Sequence, residues 1–243
     1  MESIVVNKLT KKYKEKYAVK NLSLNIHEGE LFSLLGVNGA GKTTTIKLLS
    51  SLILPTSGDI RIMDMDIKKD TQKIKELLNI SPQETAIAPN LTVYENLDFM
   101  AGVYNIPNKK EKINELIKLF KLNEVLDQKS KTLSGGWQRK VSIAISLINN
   151  PKVLFLDEPT LGLDVLARKE LWNIIESMKG KITIILTTHY MEEAEKLSDR
   201  IGIMSGGILL ETGKPKELMK KYNTQSIEDT FVKIVMEDNN ANA

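Results

Sequence analysis

Apolar positions recur along this 243-residue chain with two different periods, and the change of period marks its organisation. Short runs of β-branched and aliphatic residues at 4–6, 31–35, 59–63, 153–156, 182–186 and 201–204 predict strands. The runs at 153 and 182 are continuously apolar, as strands covered on both faces of a parallel sheet are. Stretches with helical spacing lie between them, which predicts an α/β fold.

From about residue 92 to 150 the spacing is helical throughout. Ile113, Leu116, Ile117 and Phe120 mark one face, and Trp137, Val141, Ala144, Ile145 and Ile148 mark another. This predicts a mostly helical subdomain inserted into an α/β body that runs to about residue 222. A short helix is expected over 226–235. The polar ending EDNNANA is expected to be disordered.

Composition narrows the class. With 42% hydrophobic and 27% charged residues the chain is ordinary globular protein. A net charge of +3, from 34 basic and 31 acidic side chains, supplies no whole-molecule field for nucleic acid. The local runs KKYKEK and KPKELMKK read as solvated faces. No apolar run approaches the roughly 18 residues that cross a bilayer. The N-terminus lacks the layout of a secretory leader, and there are no cysteines to form disulfides or thiolate metal sites. The expected location is therefore the cytoplasm.

The chemistry begins at residues 31–44, LFSLLGVNGAGKTT, a strand, a glycine-rich turn and a helix expected from Lys42. Gly36, Gly41, Lys42 and Thr43 satisfy the phosphate-loop spacing GxxxxGK(S/T). The loop Gly36, Val37, Asn38, Gly39, Ala40, Gly41, with Thr44 behind it, turns backbone N–H groups toward phosphate oxygens at a helix N-terminus. Lys42 would neutralise β- and γ-phosphate charge, and the Thr43 hydroxyl would ligate Mg²⁺. A nucleoside triphosphate site also needs an acid at the end of a buried strand. VLFLDEP at 153–159 supplies Asp157 for Mg²⁺ and Glu158 to polarise a water aimed at the γ-phosphate. His189, after the run at 182–186, is expected to reach the same sheet edge and contact the γ-phosphate. His27, in NIHEGE, reads as structural.

One stretch identifies the class of nucleotide machine. LSGGWQR at 133–139 places a serine and two glycines at the start of a helix, a second anion cradle on a chain that already has one. With this signature ahead of the VLFLDEP strand, the chain resembles the nucleotide-binding subunits of ATP-binding cassette (ABC) transporters from about Ile4 to Leu218. The resemblance implies a P-loop NTPase with a RecA-like α/β core, an antiparallel β subdomain and the inserted helical subdomain. By the same resemblance Tyr13, rather than Tyr17, stacks on adenine. Gln83 contacts Mg²⁺ and the attacking water and senses a membrane partner. Ser134, Gly135 and Gly136 bind the γ-phosphate of ATP held by an opposite subunit, and Asp164 signals between the two sites. Glu158 and His189 match the general base and its switch partner.

The implied machine is an ATP-dependent dimer of cassettes, identical or related, docked on a separate transmembrane permease at the cytoplasmic face of the membrane. The region 188–218 and the tail SIEDTFVKIV resemble subunits of drug, antibiotic and sodium exporters. Importer subunits and non-transport ATPases acting on nucleic acid or ribosomes remain alternatives. A GTPase does not fit, because no NKxD motif occurs. Trp137 departs from the family, which most often has glutamine at that place. It shares a stripe with Val141 and Ala144, so packing into the helical subdomain is expected ahead of contact with an opposing ribose.

Overall fold

The computed structural model describes residues 1–241. In chain order, β1 (Glu2–Tyr13) and β2 (Lys16–His27) form a hairpin, and β3 (Leu31–Leu35) leads into α1 (Lys42–Leu49). There follow β4 (Ser57–Ile62), β5 (Met65–Asp66), α2 (Thr71–Leu77) and β6 (Leu78–Ser81). Next come α3 (Val93–Val103), α4 (Lys109–Phe120) and α5 (Gly135–Ser146), with two short 3₁₀ turns between α4 and α5. The remainder is β7 (Val153–Asp157), α6 (Val165–Met178), β8 (Thr183–Thr188), α7 (Met191–Leu197), β9 (Arg200–Ser205), β10 (Ile208–Gly213), α8 (Pro215–Tyr222) and α9 (Ile227–Ala241).

The strands make two sheets. One is antiparallel, in the order β2-β1-β4-β5, and the other has the order β10-β9-β3-β8-β7-β6. In the second sheet β9, β3, β8, β7 and β6 are parallel, and only β10 runs against its neighbour. The continuously apolar strands alternate between two cores, as the pleat requires. Val153 and Phe155 of β7 and Ile185 of β8 join Phe32 and Leu34 against the antiparallel sheet. Leu154, Leu156, Ile184 and Leu186 face the opposite way, against the helices. Each face is buried, which is why apolar residues run through these strands without polar alternation.

The stretch 92–150 contains α3, α4 and α5, whose expected apolar faces meet in the helix-side core with Phe120 and Val141 fully buried. A capping box fixes the start of α3, with the Thr92 hydroxyl accepting from the Glu95 N–H and the Glu95 carboxylate accepting from the Thr92 N–H. Trp137 is partly buried against this core, and the Lys140 ammonium lies 4.4 Å from its ring centroid.

The C-terminal helix departs from expectation at its far end. α9 begins near the predicted start but continues through residues 237–241 of the polar ending, whereas residues 242–243 lie outside the described residues. Ile227, Phe231 and Ile234 anchor it beside Leu35, Ala194, Ile201 and Ile203. That i, i+4, i+7 stripe holds the first half of the helix. Among the described residues no helix is long and apolar enough to cross a membrane.

Candidate nucleotide site

The C-terminal ends of β3, β8 and β7 lie side by side, so the residues that follow each strand share one edge of the sheet. Behind β3 the chain turns tightly through residues 36–41 into α1. Two glycines make the turn possible. A Cβ on Gly36 would sit 2.6 Å from the Met204 carbonyl oxygen. Gly41 has φ +100°, and a Cβ there would lie 2.4 Å from the Ala18 carbonyl oxygen. Lys42, 4% exposed, folds back over the turn and donates to the carbonyls of Gly36 at 2.7 Å and Val37 at 3.2 Å.

The end of β7 meets this loop directly. Asp157 Oδ1 accepts from the Thr43 hydroxyl at 3.2 Å and the Thr187 hydroxyl at 2.5 Å. Glu158 places Oε1 3.4 Å from Lys42 Nζ and Oε2 3.0 Å from His189 Nδ1. This carboxylate is 8% exposed and bridges the lysine of one strand end to the histidine of another. Its backbone has φ +46°, a left-handed conformation that costs a non-glycine residue about 1–3 kcal/mol. The Glu158 N–H is held by Thr187, through the carbonyl oxygen at 3.1 Å and the hydroxyl at 3.0 Å.

These groups open onto a cavity of about 570 Å³. Residues 38–44 line it together with Gln83, Glu158, His189, Tyr13 and Tyr17. The volume suits a nucleotide. The Lys42 ammonium and the loop backbone suit phosphates, and the exposed tyrosine rings suit a base. The Thr43 hydroxyl beside the Asp157 carboxylate is a hard-oxygen pair of the kind that holds Mg²⁺ with phosphates and water. Among the described residues no cluster of three or more His, Cys, Asp or Glu is arranged for a metal. A cation bound mainly through phosphate and water does not require one.

The ABC transporter family matches residues 19–161, more than half of the sequence. The chain belongs to this family. It is 42% identical over 211 residues to the phospholipid-transporting ATPase ABCA3 of Mus musculus, covering 86% of this chain and 12% of that protein. It is 37% identical over 240 residues to the "Probable multidrug ABC transporter ATP-binding protein YbhF" of Escherichia coli (strain K12), covering 96% of this chain and 41% of that protein. The cassette thus spans less than half the length of either relative. Among solved structures, the ATP-binding subunit of an ABC transporter superposes with a TM-score of 0.86 at 26% identity, covering 96% of this chain and 99% of the other. A dimeric ATP-binding cassette in a post-hydrolysis state bound to ADP and Pi gives a TM-score of 0.79 at 27% identity, covering 87% of this chain and 98% of the other.

Other expected residues of the cassette lie away from this cavity. Ser134 precedes α5 with Gly135 at its first position, and both are exposed. The Ser134 side chain makes no capping bond, so it does not shield the N–H groups of the first turn. Asp164 caps α6, its Oδ1 accepting from the N–H groups of Leu166 and Ala167 at 2.9 Å. The two features adjoin, since a Cβ on Gly136 would meet the Ala167 Cβ at 3.3 Å. The single chain therefore presents two separate sets of helix-start N–H groups, one inside the cavity and one outside it.

The structure adds residues that the pattern did not single out. Lys16 and Leu161 line the cavity, and Thr187 holds both Asp157, the last residue of β7, and Glu158 just beyond it. Arg139, the last residue of LSGGWQR, is 4% exposed. Burial lowers its pKa to about 10, with Asp157 opposing the shift, so it stays protonated at neutral pH. Its signal in the sequence was slight, since Lys140 beside it carries the same charge on the same helix.

Proposed function

We propose that this cassette binds and hydrolyses ATP as the nucleotide-binding subunit of an ABC exporter whose membrane pathway lies in a separate permease. The observation that carries the reading is the convergence of Lys42, Glu158 and His189 with the Thr43–Asp157 pair at the phosphate end of one cavity. ATP lies with its adenine on Tyr13 and its phosphates along residues 36–44. Lys42 leaves the loop carbonyls to neutralise the β- and γ-phosphates. Thr43, Asp157 and Gln83 hold Mg²⁺, which neutralises phosphate charge when bound. Glu158 accepts the proton of the attacking water, and His189 orients that carboxylate while contacting the γ-phosphate.

The exposed Ser134 and Gly135, with the half-buried Gly136, receive the γ-phosphate of ATP held by a second cassette, identical or related, with Asp164 at the shared boundary. Each nucleotide is then enclosed by two chains, and ATP stabilises the closed pair over the open one. Hydrolysis removes the bridging phosphate and lets the pair reopen. The permease docks on the surface formed by Gln83 and the segment 84–104 that follows it, within which α3 exposes Phe99 and Val103. The multidrug designation of the E. coli relative supports export, and docking on the permease would keep the cassette at the cytoplasmic face. No nucleic-acid partner is proposed, given the near balance of charge.

The phosphate loop is tested with Lys42→Ala. Removing the ammonium is expected to lower ATP turnover by at least about 10²-fold, the scale of losing a charge aimed at the reacting group. Normal turnover in a phosphate-release assay would contradict the assignment.

A further inference from the structure

We propose that Arg139 is a positioning residue that fixes the backbone from which Glu158 projects, and registers it against the loop of Gln83. The inference rests on the reading of Glu158 as the general base. The Arg139 guanidinium donates to four backbone carbonyls on two separate segments. Nε reaches the Pro159 oxygen at 2.8 Å and Nη2 the Asp157 oxygen at 2.6 Å. Nη1 reaches the Pro82 oxygen at 2.5 Å and the Gln83 oxygen at 3.3 Å. Two of these carbonyls flank Glu158, and the other two belong to the start of the Gln83 loop.

This arrangement answers a need of the site. Glu158 has φ +46°, which the chain does not keep unless its surroundings hold it there. Thr187 takes the Glu158 N–H, and the Leu161 N–H takes the Glu158 carbonyl at 3.2 Å. Arg139 holds the carbonyls on either side. With the backbone so restrained, the carboxylate lies between Lys42 and His189. The planar fork matters, because its separate N–H groups reach carbonyls in different directions, whereas a lysine ammonium is a single point. Arg139 also sits in the first turns of α5, close behind Gly135 and Gly136. The arginine therefore joins the second anion cradle, the Gln83 loop and the base through one side chain.

The test compares Arg139→Lys, Glu158→Gln and the double variant in the full chain, each checked by circular dichroism and thermal melting, with Mg²⁺ and ATP. Arg139→Lys keeps a charged flexible chain but not the fork. It is expected to lower kcat by about tenfold or more while KM for ATP stays within about twofold, because the phosphate loop is untouched. In the Glu158→Gln background it is expected to leave the residual rate unchanged, because there is no base left to aim. Normal kcat in folded Arg139→Lys, or an equal loss in the Glu158→Gln background, would overturn the positioning role. Wild-type turnover in Glu158→Gln itself would remove the base assignment, and this proposal with it. Loss of ATP affinity in step with kcat would show a merely structural residue.

Discussion

At the scale of single residues, the site is a set of close approaches that spacing alone could foretell only in part. The loop at 36–43 was legible because GxxxxGK(S/T) prescribes which positions lack a side chain and which carries a charge. Gly41 shows the physical content of the pattern, since its φ of +100° and its contact with the Ala18 carbonyl both exclude a Cβ. Gly41→Ala is therefore expected to strain the loop by roughly 1–3 kcal/mol and to weaken ATP binding by at least about tenfold, as isothermal calorimetry would read. Unchanged affinity would show that the turn is not as constrained as its geometry implies. Arg139 was not legible in the same way. Its partners are four backbone carbonyls at positions 82, 83, 157 and 159, and carbonyls leave no signature in a sequence. Thr187 was hidden because it is one of three threonines in β8, and nothing in the sequence sets it apart from the other two.

At the scale of elements, burial on both faces explains which strands could be read. β3, β7 and β8 stand out because every position is covered. β2 carries a period-two signal at Leu22, Leu24 and Ile26, weakened by the charged and polar residues on its open face. β6 has only four residues, and β10 is half exposed along its length at the sheet edge. Neither offers enough alternation to be distinguished from a loop.

A buried acid links three further elements. Glu193 of α7 accepts hydrogen bonds at 2.8 Å from the Thr160 hydroxyl after β7 and from the Trp172 indole of α6. Burial raises its pKa above the ordinary 4.5, and hydrogen bonds from Thr188, Thr160 and Trp172 oppose the shift only in part. A raised folded-state pKa contributes stability that is full below 4.5 and is lost as pH rises through the folded value. Glu193→Gln removes the titrating group but keeps an amide oxygen for the same donors. Its melting temperature, relative to wild type, is expected to rise from acid to neutral pH. A gap independent of pH would contradict this account of the burial.

At the scale of the whole molecule, one cavity collects Tyr13, residues 38–44, Gln83, Glu158 and His189, while Ser134, Gly135, Gly136 and Asp164 lie outside it. A one-chain enzyme has no use for the second set. Two copies arranged head to tail would bring each set against the other chain's nucleotide, and the similarity to a dimeric cassette bound to ADP and Pi favours that arrangement. The separation was legible from the sequence, because two anion cradles in one chain imply two phosphate groups. How the cradles are oriented was not, since it depends on how α5 and α6 pack where Gly136 meets Ala167.

The most direct measurement is the mass of the Glu158→Gln protein by size-exclusion chromatography with light scattering, with and without Mg²⁺ and ATP. Slowing hydrolysis while leaving Lys42 and the phosphate loop intact should hold the pair closed. The account predicts a monomer without nucleotide and a dimer containing two ATP molecules when ATP is present. A protein that binds ATP in the loop but remains monomeric at every concentration tested, with its permease also supplied, would contradict the sandwich.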